Sequence, residues 1–233
     1  MPILFDTIAV ILGYLLGSIP FGFLIVKIST GKDLRTVESG RTGGTNAARA
    51  AGFWAGFLTT VLDILKGAAA VWVAKLFTTY GLTGHSLIHV LAPIAAILGH
   101  NYSIFMMERN EKGGLKFRGG AGGAPALGGA MGLWLPMFPI AFLAGAAIWF
   151  TLGIASVTTM AIGVIVIVIF AVRAALELQP AIDIWYGIVA ELLLIWALRP
   201  NIQKLFAGNE RVIKYSLNGW LRARREAKEG TKQ

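Results

Sequence analysis

A chain of 233 residues with 56% hydrophobic and only 14% charged residues departs from soluble domains, which run at roughly 45–50% and about 25%. A net charge of +9 would suit nucleic acid if it were spread over one soluble face, but 18 of the 21 basic residues fall in three clusters between apolar blocks, the pattern of the positive-inside bias. Cysteine is absent, which excludes disulfides, a thiolate nucleophile, an acyl-cysteine intermediate and a Cys-ligated metal.

Apolar blocks run over residues 7–26, 53–73, 87–107, 124–150, 154–172 and 184–198. A helix needs ~20 apolar residues to cross a bilayer core. The opening M-P-I-L-F-D has no basic n-region, so the first block reads as a retained span rather than a cleaved signal. The basic clusters lie at 27–49, at 109–118 and from Arg199 onward. If all three share the cytoplasmic side, the N-terminus is outside, and an even number of crossings must separate the second cluster from the third. Three blocks stand there, so one must be double. Block 124–150 carries Pro136 and Pro139 at its middle, and proline removes a backbone donor and clashes with the preceding turn. Splitting it predicts an all-α polytopic membrane protein of about seven transmembrane helices, N-terminus outside and C-terminus cytoplasmic. Each half would have about 12 residues, or ~18 Å, and would need protein around it. The predicted organisation is one transmembrane helical domain over 1–205, with cytoplasmic Gly-rich loops at about 30–52 and 108–125, and a basic cytoplasmic tail over 206–233.

The loops carry the chemistry. The first reads D-L-R-T-V-E-S-G-R-T-G-G-T-N-A-A-R-A-A-G, from Asp33 to Gly52. Ser39, Gly40, Gly43 and Gly44 loosen its backbone, and Thr45–Asn46 are expected to cap a helix over A-A-R-A-A. The free N–H groups of such a helix start form an anion site, reinforced by Arg35, Arg41 and Arg49. A merely flexible basic loop is the plainer alternative. The second loop, L-K-F-R-G-G-A-G-G-A-P from Leu115 to Pro125, repeats the theme, with Lys116 and Arg118 before Gly119, Gly120, Gly122 and Gly123. Two such loops on one membrane face suggest a ligand carrying phosphate.

Block 53–73 contains D-I-L-K-G, which puts Asp63 and Lys66 three apart on one helical face. An ionisable pair inside a span faces a polar cavity or a partner, although a structural ion pair would suffice. His100, in L-G-H-N-Y-S, falls near the cytoplasmic boundary. His85 and His89 are four apart but have no acidic companion, so no metal is expected. H-x-x-x-x-D, H-E-x-x-H, G-x-S-x-G and Walker A sequences do not occur. An enzyme built from these residues must position a reactive substrate rather than attack it.

Together these segments resemble the bacterial acyl-phosphate:glycerol-3-phosphate acyltransferases, the PlsY family. G-S-I-P-F-G (Gly17 to Gly22) is similar to the family's G-S-x-P. The first loop follows the pattern G-S-G-N-x-G-A-T-N, D-I-L-K-G its D-x-x-K-G, and L-G-H its L-G-H. N-I-Q-K-L-F-A-G-N-E (Asn201 to Glu210) resembles N-I-x-R-L-x-x-G-x-E, and Ser156 stands where the family has a serine at the membrane edge. The departures are Arg41 for Asn, Ala121 for the second Lys of F-K-G-G-K-G, Ser103 for Pro, Ile154 for Tyr and Leu198 for His.

The resemblance implies acyl transfer from an acyl phosphate to the 1-hydroxyl of glycerol 3-phosphate, giving lysophosphatidic acid and phosphate in the bacterial plasma membrane. It implies catalytic roles for Ser39, Asn46, Lys66, His100 and Ser156. Substrate-phosphate binding would fall to Arg35, Gly40, Arg41, Gly43, Thr45, Arg49, Arg118, Gly119, Gly120, Gly122 and Asn201. It implies no cofactor, no metal and no nucleic acid; the partners are the two substrates, the bilayer and an acyl-phosphate-producing enzyme. Two alternatives stay open: a re-purposed paralogue that binds phosphate or anionic lipid, and a small transporter with its site at the broken fourth block.

Overall fold

Proline breaks the apolar blocks in two places. The computed structural model describes residues 2–82, 87–109, 113–213 and 216–230. His85 of the histidine pair, Lys112 of the second basic cluster, Lys214 and the last three residues of the tail lie outside them. Among the described residues the chain forms α1 (Pro2–Ser18), α2 (Phe21–Thr30), a 3-10 turn at Leu34–Thr36, α3 (Gly44–Ala51), α4 (Phe53–Thr79) and α5 (Ile88–Asn101). A hairpin of β1 (Ser103–Arg109) and β2 (Leu115–Arg118) follows, then α6 (Gly123–Leu133), α7 (Met137–Leu152), α8 (Ala155–Ala175), α9 (Ile182–Phe206) and α10 (Leu217–Gly230).

The first block is not one continuous helix. Pro20 has no N–H and disfavours helical backbone at Ile19, so α1 stops and α2 restarts at Phe21. The carbonyl of Ile19 accepts a hydrogen bond from Lys66 Nζ at 2.9 Å. The expected split of 124–150 is present: α6 ends at Leu133 and α7 starts at Met137, after Pro136. Lys75 Nζ donates to the carbonyls of Gly132 at 2.8 Å and Leu133 at 3.3 Å, satisfying acceptors that the break leaves free. Pro139 breaks nothing, because it lies in the first turn of α7, where its missing N–H has no helical partner.

One expectation of the fold needs correction. Block 87–107 is helical only to Asn101; its remainder is strand β1, paired antiparallel with β2, so the fold is mostly helical rather than all-α. Ser103 Oγ donates to Ser18 O at 2.5 Å and accepts from Phe105 N at 3.2 Å, a local alternative to another helical turn. The basic tail carries α10.

Helices pack here through small residues, which allow close backbone approach in a lipid-facing bundle. A Cβ on Gly17 of α1 would sit 2.0 Å from the carbonyl oxygen of Ala96 on α5, and one on Gly128 of α6 would sit 1.9 Å from that of Ile64 on α4. The main core gathers Ile97, Ala130, Met137, Phe170, Tyr186 and Ala190 from α5 to α9. Tyr186 Oη donates to Ala126 O at 2.6 Å, so its one polar atom is satisfied. Large apolar side chains such as Phe142, Leu143, Val164, Val168, Leu192 and Trp196 are exposed, the inverse of a soluble surface. Segments Ile3–Thr30, Phe53–Thr79 and Ala155–Ala175 are long and apolar enough to cross a membrane, and Ile88–Asn101 and Met137–Leu152 are shorter apolar helices. Helix α6, 11 residues and about 17 Å long, is surrounded by α4, α5, α8 and α9.

Candidate active site

Three helices begin at one place. The N-terminal ends of α3, α6 and α8 line a cavity of about 300 Å³, which His100 of α5, Leu198 and Asn201 of α9, and Asp63 of α4 complete. Each of the three starts without a side-chain cap, at Gly43, Gly122 and Ile154. First-turn N–H groups with the positive ends of three helix dipoles make a site for an anion. Gly122 has φ +92°, a conformation open to glycine at little cost, and it turns the second loop into α6.

The first loop is held open by Asn46. Its Nδ2 donates to the carbonyls of Arg41 at 2.8 Å, Val37 at 2.9 Å and Leu34 at 3.3 Å. The expected Thr45–Asn46 cap is therefore corrected: Gly43 is the N-cap, and Asn46 sits inside the helix, tying the loop to it. Thr45 and Arg49 line the cavity, as does Ser39, whose Oγ accepts from the Arg41 N–H at 3.4 Å.

Arg41 ties this loop to the far end of the chain. Nη1 donates to Asn201 Oδ1 at 2.9 Å and Nη2 to Ala197 O at 2.5 Å. Asn201 Nδ2 donates to Glu210 Oε1 at 2.9 Å, and Ser156 Oγ donates to the same oxygen at 3.1 Å. Arg41, Asn201, Glu210 and Ser156 thus form one polar wall from three distant stretches of sequence. Burial lowers the pKa of the Arg41 guanidinium, and the Glu210 carboxylate partly offsets that.

Asp63, Lys66 and His100 form a buried group. Lys66 Nζ lies 2.7 Å from Asp63 Oδ1, with side-chain exposures of 3% and 1%. His100 Nδ1 lies 3.5 Å from the same oxygen. His100 is buried against Gly120, where an added Cβ would lie 1.9 Å from its Nε2. Asp63 and His100 reach the cavity, whereas Lys66 stands behind Asp63.

Six of the residues expected in the site lie outside the cavity lining: Lys66, Arg35, Gly40, Arg118, Gly119 and Gly120. Arg35 grips Asp33, with Nη2 at 2.6 Å from Oδ2 and Nε at 3.0 Å from Oδ1. Those hydrogen bonds hold the Asp33 carboxyl at about 2, so the clip is fully formed above the ordinary carboxylate range and opens as pH falls toward 2. Arg118 Nε is hydrogen-bonded to Glu108 Oε1, which holds the Glu108 carboxyl below its usual range. Gly119 and Gly120 are packing positions: Thr42 N donates to Gly119 O at 3.2 Å and Gly120 N to His100 O at 2.9 Å. Gly40 is the turn, at φ +65°.

Thr60, Glu210 and Arg211 also line the cavity, beyond the residues expected there, and Asp63 does so as the sequence reading of its pair with Lys66 allows. Glu210 has a signal, since it ends the motif segment Asn201 to Glu210. Thr60 has none, and Arg211 has only its place in the third basic cluster.

Residues 7–208 match the family described as glycerol-3-phosphate acyltransferase. The chain belongs to this family. It is 36% identical over 216 residues to a Dehalococcoides mccartyi protein named glycerol-3-phosphate acyltransferase 3, covering 88% of this chain and 94% of that one. It is also 36% identical over 208 residues to the Staphylococcus carnosus glycerol-3-phosphate acyltransferase, covering 88% and 96%. Among solved structures it superposes on PlsY, an integral membrane glycerol 3-phosphate acyltransferase, in its glycerol 3-phosphate form. That match has a TM-score of 0.74 and 31% identity, over 89% of this chain and 95% of PlsY. The lysophosphatidic acid form of PlsY gives a TM-score of 0.73 at 28% identity, over 90% and 96%. The family resemblance carried by the loop motifs is thus borne out over most of the chain.

Proposed function

We infer that this acyltransferase moves an acyl group onto glycerol 3-phosphate, giving lysophosphatidic acid, in a bacterial membrane. The observation that carries the reading is the convergence of three uncapped helix starts with Arg41, Arg49 and Arg211 around one cavity. The relatives' names and the two ligand forms of PlsY support it. The donor we propose is an acyl phosphate. Ser156 donates to Glu210 and His100 faces Asp63, so neither forms the Ser–His pair that activates a nucleophile. A mixed anhydride needs none. The 1-hydroxyl attacks the acyl carbon, a C–O ester bond forms, the acyl–phosphate bond breaks, and inorganic phosphate leaves. The hydroxyl proton passes to a phosphate oxygen. Ser39, Asn46, His100 and Ser156 orient the reactants, with Lys66 supporting Asp63. The helix starts and arginines hold the phosphates, and the gain comes from orientation and preorganised charge.

Purified protein with palmitoyl phosphate and glycerol 3-phosphate should release phosphate, and palmitoyl-CoA should not replace the donor. Equal rates with the thioester would sink the anhydride mechanism.

The chain is proposed to cross the membrane seven times: through α1–α2 together, then α4, α5, α6, α7, α8 and α9. Both Gly-rich loops and the C-terminus would face the cytoplasm, where an acyl-phosphate-producing enzyme would supply the donor. Support comes from the clustered basic residues, and from α6 leaving the cavity while α8, after α7, starts again at it. A cysteine at Arg225, in a chain that has no other, should resist an impermeant thiol reagent in intact cells and react after lysis. Labelling of intact cells would reverse the orientation.

A further inference from the structure

Glu38 carries a side chain on a left-handed backbone, at φ +45°, one of two non-glycine residues in that region among those described. Side chains reach this region only at a steric cost, which singles the position out. From there its carboxylate faces two arginines of the cavity. Oε1 lies 3.3 Å from Arg211 Nη1 and Oε2 lies 3.8 Å from Arg49 Nη1. Both arginines line the cavity, whereas Glu38 does not. Arg41, the other cavity arginine brought by the loops, has its guanidinium occupied by Asn201 and Ala197. Arg49 and Arg211 therefore hold a single carboxylate in common. It is half exposed, and Arg211 is 63% exposed. Ion pairs this open to water and salt are weak and readily exchanged. A phosphate monoester brings close to two charges and three acceptor oxygens, and arginine grips it with paired hydrogen bonds, so it outcompetes one carboxylate.

We propose that Glu38 is a built-in counter-ion which a substrate phosphate displaces, and that Arg211 is a phosphate-binding residue of this site. Arg211 lies beyond residue 208, where the family match ends, and in the sequence it is one of nine basic residues from Arg199 onward. The inference rests on the acyl-transfer reading for the identity of the phosphates, but not for their binding. The ligand chemistry is a phosphate monoester or acyl phosphate, and either substrate supplies it.

The test uses the full chain and four variants: Arg211→Gln, Glu38→Gln, the two combined, and Arg222→Gln as a basic control from α10. KM and kcat are measured for glycerol 3-phosphate and for palmitoyl phosphate, and inorganic phosphate binding is measured by calorimetry. Arg211→Gln should raise one KM about tenfold with kcat within about twofold, and the substrate affected identifies which phosphate Arg211 holds. Glu38→Gln should lower that same KM severalfold, and the double variant should lose this gain. Arg222→Gln should change neither. Unchanged KM values in Arg211→Gln, or a raised KM in Glu38→Gln, overturn the proposal. If wild type shows no turnover, the acyl-transfer reading fails by itself. Phosphate affinity then decides: weaker in Arg211→Gln and tighter in Glu38→Gln sustains the counter-ion, and no change removes it.

Discussion

Asp63→Ala is expected to destabilise the protein by about 3–5 kcal/mol, the range for removing one partner of a buried ion pair. The substitution leaves Lys66, with its side chain 3% exposed, the Ile19 carbonyl and the face of the Phe21 ring but no counter-charge, and takes from His100 the carboxylate beside its Nδ1. That group joins the break between α1 and α2, through the Ile19 carbonyl, to the cavity that Asp63 and His100 line. Thermal unfolding in detergent should show a clear drop in Tm, with loss of acyl transfer in parallel. The paired variant Asp63→Leu with Lys66→Met should recover more stability than Asp63→Ala retains, because it removes both charges together. Its activity should stay low, since the wall beside His100 is no longer polar. An Asp63→Ala protein that melts like wild type would mean that the ion pair is solvated and carries little of the fold.

Arg41→Ala is expected to reduce the rate of phosphate release by about 10–100-fold, from a charge-assisted hydrogen bond being worth ~1.5–3 kcal/mol. The arginine joins the first loop to α9 through Asn201 and Ala197, and Asn201 in turn orients Glu210 and, through it, Ser156. Arg41→Lys should recover little, because an ammonium cannot span both acceptors as a planar guanidinium does. Arg118→Ala should stay within about threefold of wild type, since that residue pairs with Glu108 on the hairpin and lies outside the cavity lining. A larger loss from Arg118→Ala than from Arg41→Ala would place the phosphates at the hairpin and not among the helix starts.

The reading of Asp63 and Lys66 from sequence held because a three-residue spacing puts two side chains on one helical face whatever else the chain does. The split of block 124–150 was legible from Pro136, which has no N–H to donate into a helix continuing from α6, although Pro93 stands inside α5 without ending it. Ser103 shows where local reasoning stops. The apolar run continues through Met107, but the hydroxyl of Ser103 finds the carbonyl of Ser18, 85 residues away, and the chain leaves the helix there. Arg118 and Arg41 make the same point in the site. Each is a basic residue beside glycines, and nothing nearby in sequence distinguishes the one that meets Glu108 from the one that meets Asn201.

The membrane setting, the helical blocks, the likeness to glycerol-3-phosphate acyltransferases and the loops that hold the polar groups are all legible along the chain. Those properties rest on composition, on the proline and glycine positions, and on motifs short enough to be read in order along the chain. Which arginines face the cavity, the meeting of three uncapped helix starts, and the place of Glu210 and Arg211 in its wall emerge from the packed fold. The physical reason is range. Backbone sterics and hydropathy act over a few residues, whereas the contacts of Arg41 with Asn201 and of Glu38 with Arg211 span 160 and 173 positions and form only after the helices have packed.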